Sequence, residues 1–485
     1  MIDFTICKVG RDKAVEKAKA EGVIIPTLRQ MYDPSAVPQE ILDKLGKTGL
    51  WDLDPVNMFR ISWHNEPTLT GGKFGKVNIV ELPPALTGVA ARIICLVGKW
   101  FPTGCHKVGA SFGCLAPRLV TGQFNPAYHK AVWPSTGNYC RGGAFNSKLL
   151  SCDSIAILPQ GMSRERFDWL RGVATEIIAT PGSESNVKEI FDKTNELKSR
   201  SDCMIFNQFE EMGNVLWHYN VTGRAIADAY EDIKTDSSRM AAVCFTSGSA
   251  GTLAAGDYVK DVYPKAKLAV VEALQCPTIL ENGFGSHRIE GIGDKHIPWI
   301  HNVKNTDMAI GIDDADTMAL LRLFNEPKGK EYLLNELKLE PSLVADLELF
   351  GISGIANMLS AIKLAKYYEL TGDDVVATVL TDSADMYFSR VEELKEKEGE
   401  YTATKAAVDY FAHLALIKTN SMEELTYTAR RRVHNLKYYT WVEQQGKTAE
   451  ELDSQWYDGS YWSGVHKQAD ELDSLIEKFN ADVLK

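Results

Sequence analysis

The chain has 485 residues, 45% hydrophobic and 24% charged, with a formal net charge of -12. That length exceeds what one hydrophobic core usually serves, so two domains with appendages are expected in a folded, globular protein. The negative balance excludes an overall attraction to nucleic acid or anionic lipid, no apolar run reaches the roughly 20 residues that span a bilayer, and nine scattered cysteines without a Cys-x-x-Cys pair indicate neither a disulfide framework nor a zinc ribbon.

From the N-terminus, Met1 to Lys19 lacks the apolar core of a secretion signal, so a cytoplasmic location is expected. A helix is predicted over 11–21, after which Pro26, Pro34, Pro38 and Pro55 interrupt regular structure. Residues 1–75 therefore read as an extension wrapped on a body. Apolar, β-branched runs follow at 77–80, 91–97, 155–158, 176–179, 241–245, 268–272 and 375–380, with helix-like stretches between them. Continuous apolar strands alternating with helices predict an α/β protein with parallel sheets covered on both faces. Past Glu393 a charge-dense segment leads into a helix-rich, aromatic C-terminal extension, 393–485. Its last part carries Leu472, Leu475, Ile476 and Phe479 at helical spacing, the pattern of a docked amphipathic helix.

Three short segments carry chemistry. Lys107 lies in Phe101-Pro102-Thr103-Gly104-Cys105-His106-Lys107-Val108-Gly109, where small and apolar neighbours predict a buried amine. Burial lowers an ammonium pKa and frees the amine to form an imine and to move protons, although a buried ion pair is the alternative. Ser135-Thr136-Gly137-Asn138 can hold a carboxylate on hydroxyls and exposed amides, or serve merely as a helix cap. The run Gly248-Ser249-Ala250-Gly251-Thr252 follows an apolar strand and precedes a helix. Its small residues let backbone amides approach a phosphate, though it could also be a plain strand-to-helix turn. It has neither the P-loop ending nor the dinucleotide fingerprint.

In this order the segments resemble the cysteine synthase (fold-type II) family of pyridoxal-phosphate enzymes, whose pattern is a lysine after Pro-x-Gly-Ser-x, then Ser-Gly-Asn, then Gly-Thr-Gly-Gly-Thr. Segments 286–298, 350–356 and 376–383 resemble it as well. The resemblance implies two α/β domains of tryptophan synthase β-like architecture: a large cofactor-binding domain of 76–100 and 206–392, and a small mobile domain of 101–205. It implies that Lys107 carries pyridoxal 5'-phosphate as an imine, that Asn138 touches the ring hydroxyl, and that Gly248, Ser249, Ala250, Gly251 and Thr252 cradle the phosphate. Ser353 would face the pyridine nitrogen, while Ser135, Thr136 and Gly137 would receive the carboxylate of a small amino-acid substrate. A homodimer is implied too, with room for a second type of subunit.

The implied activity is elimination or replacement at the Cβ of a small amino acid through an aminoacrylate, as in a lyase or a cysteine synthase-like transferase. Departures exist: Lys107 is followed by Val-Gly and preceded by His106 as in tryptophan synthase β chains, and Ser-Thr-Gly-Asn-Tyr-Cys replaces Ser-Gly-Asn-Thr-Gly. They leave open the β chain of a 2-amino-4-oxopentanoate thiolase-like enzyme or a catalytically silent cofactor-binding regulatory subunit. A nucleotide-binding oxidoreductase using the glycine loop is a third reading. No metal site is expected, His287, His296 and His301 lacking ligand spacing.

Overall fold

A computed structural model describes residues 1–485 except Thr136, Glu184, Ser185 and the side chain of Val187. Two strands come first, β1 (Ile79–Leu82) and β2 (Arg92–Val97). The next four are β3 (Lys130–Pro134), β4 (Ser154–Pro159), β5 (Glu176–Thr180) and β6 (Cys203–Ile205). Last are β7 (Arg239–Thr246), β8 (Lys267–Ala273), β9 (Met308–Ile312), β10 (Asp374–Leu380) and β11 (Met422–Glu424).

These strands form two sheets, of order β1-β2-β10-β7-β8-β9-β11 and β5-β4-β3-β6. The smaller sheet is parallel throughout, and so is the centre of the larger one from β2 to β9; only the edge strands β1 and β11 run antiparallel. The interior strands are apolar runs because both faces are covered, and successive residues feed two different cores. Val243, Phe245, Leu268 and Val270 enter one core, whereas Ala242, Cys244, Ala269 and Val271 enter the other. The first core also takes Ala131, Trp133, Ala156 and Leu158 of the smaller sheet, so the two sheets are joined through shared apolar packing.

The segments outside this frame lie on it. The helix Lys8–Ala20 buries Ala14 and Ala18 and packs on both the helix Lys107–Thr121 and the C-terminal helix Tyr461–Val483. The C-terminal helix buries Leu472, Ile476 and Phe479, with Leu475 half-buried. The C-terminal extension also contributes β11, which pairs with β9 and closes that edge of the larger sheet. Among the described residues no single helix is long and apolar enough to cross a membrane.

Candidate active site

β7 ends at Thr246, whose N–H donates to Asn357 Oδ1 at 2.7 Å, while Asn357 Nδ2 donates to Val379 O at 2.8 Å. One buried amide thereby ties the ends of β7 and β10 together. Ser247 N–H donates to Val271 O of β8, after which the chain leaves the sheet. The next five N–H groups, from Gly248 to Thr252, have no acceptor among the described residues, and the helix Leu253–Val262 begins directly behind them. Five unengaged amides at a helix start form an anion cradle. Its shape is set by close contacts: a Cβ added to Gly251 would lie 2.3 Å from Asn214 Oδ1. Asn214 Nδ2 in turn donates to Gln208 O at 3.0 Å and Ser249 Oγ at 3.2 Å. Asn214 and Asn357 escape sequence reading because nothing local marks an asparagine that supports a loop from another element.

Lys107 opens the helix Lys107–Thr121 immediately after a turn in which Thr103 adopts φ +73°. Its Nζ lies 3.2 Å from Ser249 Oγ and 3.4 Å from Gln208 Oε1. Lysine and cradle line one narrow cavity with Gly291, Ile292, Val379 and Thr381. Lys107 has no ion-pair partner among the described residues, and burial lowers its ammonium pKa to about 8. The position at a helix N-terminus also disfavours the charged form.

His106 is buried, its ring 5.5 Å from Trp63 and 5.3 Å from His218. Burial and the neighbouring Lys107 charge hold it well below the ordinary imidazole range, so it is neutral. Cys105 and Cys140 are pushed up to about 12 by burial and stay protonated. Neither thiol has the electropositive, accessible setting of a nucleophile.

Ser135 directly follows β3, and its Oγ accepts from Gly137 N–H at 2.9 Å. Ser135 and Gly137, expected to meet a carboxylate, thus engage each other; Thr136 lies outside the described residues. The N–H groups of Asn138, Tyr139 and Cys140, at the start of the helix Asn138–Leu149, have no acceptor among the described residues. The first amides of a helix lack intrahelical acceptors and are open to a ligand or to water.

Asn138 Nδ2 donates to Asp382 Oδ2 at 2.6 Å, and Asn138 Oδ1 accepts from Arg141 at 3.3 Å. Asp382, which lies in the segment 376–383 but was given no role from sequence, also accepts from Tyr387 OH at 2.8 Å and faces Arg166 at 3.6 Å. Arg166 pairs with Glu290 and lies directly under the turn, where a Cβ on Gly137 would come 2.5 Å from Arg166 Cδ. The expected carboxylate turn therefore rests on an ionic network that reaches the larger sheet. Ser353, second residue of the helix Ile352–Tyr367, is buried, and its Oγ has no hydrogen-bond partner among the described residues.

A phosphorylated pyridine aldehyde needs donors for a phosphate, an amine for its aldehyde and a polar group for its ring. Five bare amides, the amine of Lys107 and the orphaned hydroxyl of Ser353 supply groups of those kinds, so the residues present fit it.

Residues 101–329 match the family model described as pyridoxal-phosphate dependent enzyme. A cysteine synthase of Staphylococcus aureus is 29% identical over 316 residues, 65% of this chain and 93% of that protein. The cystathionine beta-synthase of Saccharomyces cerevisiae is 25% identical over 339 residues, 68% of this chain and 63% of that protein. Among solved structures, an O-acetylserine dependent cystathionine beta-synthase from Helicobacter pylori has a TM-score of 0.53 at 23% identity, covering 64% of this chain and 94% of that one. Over 101–329 the chain is thus similar in sequence to pyridoxal-phosphate dependent enzymes, with cysteine synthases among its relatives, and it shares the fold of the solved cystathionine beta-synthase.

Proposed function

We propose that the protein uses pyridoxal 5'-phosphate to eliminate or replace a group at the Cβ of a small amino acid, and that Lys107 is the residue that carries the cofactor. The observation behind this reading is the placement of the Lys107 nitrogen 3.2 Å from a hydroxyl of a loop with five unengaged amides. When bound, the cofactor withdraws electrons from Cα and makes a substituent on Cβ a leaving group.

The residues of the chain do the rest. The amides of Gly248, Ser249, Ala250, Gly251 and Thr252 hold the phosphate, and Asn138, oriented by Asp382 and Arg141, meets the ring oxygen. Ser353 offers the ring nitrogen a neutral hydroxyl, which would not keep a proton there as a carboxylate would; this favours chemistry at Cβ over transamination. With its ammonium pKa lowered to about 8, Lys107 would be in part a free base at neutral pH, able to take the Cα proton once released from the cofactor. Ser135 and Gly137, with the amides of Asn138 and Tyr139 behind them, hold the substrate carboxylate; Thr136, assigned the same role, lies outside the described residues.

By the same reading, residues 101–205 form a small domain that moves against the body of 76–100 and 206–392. A cytoplasmic homodimer belongs to this proposal. In the test, the reconstituted protein is mixed with small amino acids bearing a Cβ leaving group, and pyruvate with ammonia (elimination) or a new thioether (replacement) is assayed. Turnover with at least one supports the reading. A coloured protein inert to all of them would favour a silent regulatory subunit.

A further inference from the structure

We propose that His296, held by Asp294, is the acid that protonates the group leaving Cβ, so that the substrate carries a poor leaving group such as a hydroxyl. This rests on the elimination reading of the site above.

The pair stands at the edge of the cofactor cavity. Gly291 and Ile292 line the cavity that holds Lys107, and Gly293 N–H donates to Ser247 O at 3.1 Å, where the cradle starts. From Gly293 three Cα–Cα steps reach His296, at most about 11 Å. A second line of contacts leads back to the lysine. The His296 ring lies 5.7 Å from that of Phe191, and Phe191 lies 5.9 Å from Phe209. Phe209 follows Gln208, whose Oε1 is 3.4 Å from Lys107 Nζ. Phe191 belongs to the helix Val187–Lys198, which packs on the smaller sheet, so the imidazole sits where the run after Gly291 meets that layer.

One ring nitrogen is fixed and the other is free. Nδ1 lies 2.9 Å from Asp294 Oδ1, which also accepts from His296 N–H at 3.0 Å. A carboxylate at Nδ1 keeps a hydrogen there and leaves Nε2 as the working nitrogen. Among the described residues Nε2 has no hydrogen-bond partner, and the side chain, 17% exposed, is not sealed off as those of His106 and His287 are. Lys295, between the two, turns away over the Phe284 ring at 4.9 Å. Asp294 is buried, and its Oδ2 has no partner among the described residues. An unmet buried oxygen is costly unless a ligand donor reaches it, which a turn of structural purpose alone would not require.

Lys107 takes the Cα proton, which leaves the departing group without a donor. With a hydroxyl on Cβ, the Cβ–O electron pair goes to oxygen and Nε2 of the charged ring gives that oxygen its proton. Water leaves, a neutral ring remains with Nδ1–H still on Asp294, and solvent recharges it.

The test compares β-chloroalanine, whose chloride leaves without a proton, with serine, whose hydroxyl needs one, on the cofactor-loaded protein. In His296→Ala, kcat for pyruvate release from serine is expected to fall about 100-fold or more while that from β-chloroalanine changes less than about threefold, and added imidazole should restore part of the serine rate. A structural defect would lower both rates alike. Equal losses, no loss on serine, or a wild type that turns over β-chloroalanine and not serine would overturn the proposal. A wild type inert to both would overturn it together with the elimination reading, and visible cofactor absorbance in each protein keeps either failure distinct from that of Lys107. Nitrogen-15 NMR of histidine-labelled protein gives a readout independent of turnover: Nδ1 of His296 should carry hydrogen in the wild type, and a neutral ring with hydrogen on Nε2 alone would contradict the pairing.

Discussion

Lys107, half-buried, differs from the buried Lys363 and Lys437 in what its nitrogen touches. Lys363 Nζ donates to Gly311 O, and Lys437 Nζ to Trp299 O, His301 O and Gln455 Oε1, so both close gaps in the backbone hydrogen bonding. Among the described residues Lys107 Nζ meets Ser249 Oγ and the side-chain oxygen of Gln208, contacts that an incoming aldehyde and phosphate can replace. Its ammonium pKa near 8 gives a pH prediction. The free amine attacks the aldehyde, so the rate at which apoprotein gains cofactor absorbance should rise through pH 8 and level off above it. A rate still climbing tenfold per unit toward pH 10 would mark an ordinary lysine. At Gly251 the prediction is steric: Gly251→Ala drives a methyl into Asn214, so cofactor affinity should fall about tenfold or more by absorbance titration. The segments that bear Lys107 and the cradle were legible in sequence because small residues cluster where backbone must approach a ligand. Asp382, Arg166 and Asn214 were not, since their roles depend on partners far along the chain.

Between elements, the helix Arg164–Arg171 is latched to Glu290 and to the segment 382–390. Glu165 accepts from Ser389 N and Oγ at 2.8 and 2.6 Å, Arg166 reaches Glu290, Tyr387 and Asp382, and Arg390 donates to Glu290 and to Gly161 O. Arg166 and its two acidic partners are buried, so removing the arginine leaves two carboxylates without it. Arg166→Met should cost about 3–5 kcal/mol in urea unfolding, and adding Glu290→Gln should recover part of that. A cost below about 1 kcal/mol would show that the network is slack. Strands with long apolar runs, β7, β8 and β10, were readable from composition alone, whereas β3, which ends in Pro134, β6 with three residues and the glycine-containing β9 were not read as strands. Short runs carry too little periodicity to separate a strand from a loop.

Across the whole molecule, the two chain ends are sewn together by side-chain amides that imitate strand pairing. Asn480 accepts from Ile25 N–H at 3.0 Å and donates to Ile25 O at 2.7 Å; Gln468 does the same with Ile2, at 2.9 Å each way. Asp473 accepts from Leu28 and Arg29 N–H groups, and burial raises its carboxyl to about 6. Asn480→Ala should lose about 1–3 kcal/mol in chemical denaturation, because Ile25 is left with two unmatched backbone groups. Helical periodicity revealed the terminal helix, but the face it covers was invisible without Ile2 and Ile25 in view. What this frame holds in place is the short gap between one amine and one anion cradle. Borohydride reduction of the pyridoxal-phosphate-loaded protein, followed by peptide mass mapping, tests that gap. A phosphopyridoxyl group on Lys107 alone is the expected result; a label on Lys363, or none, would contradict it.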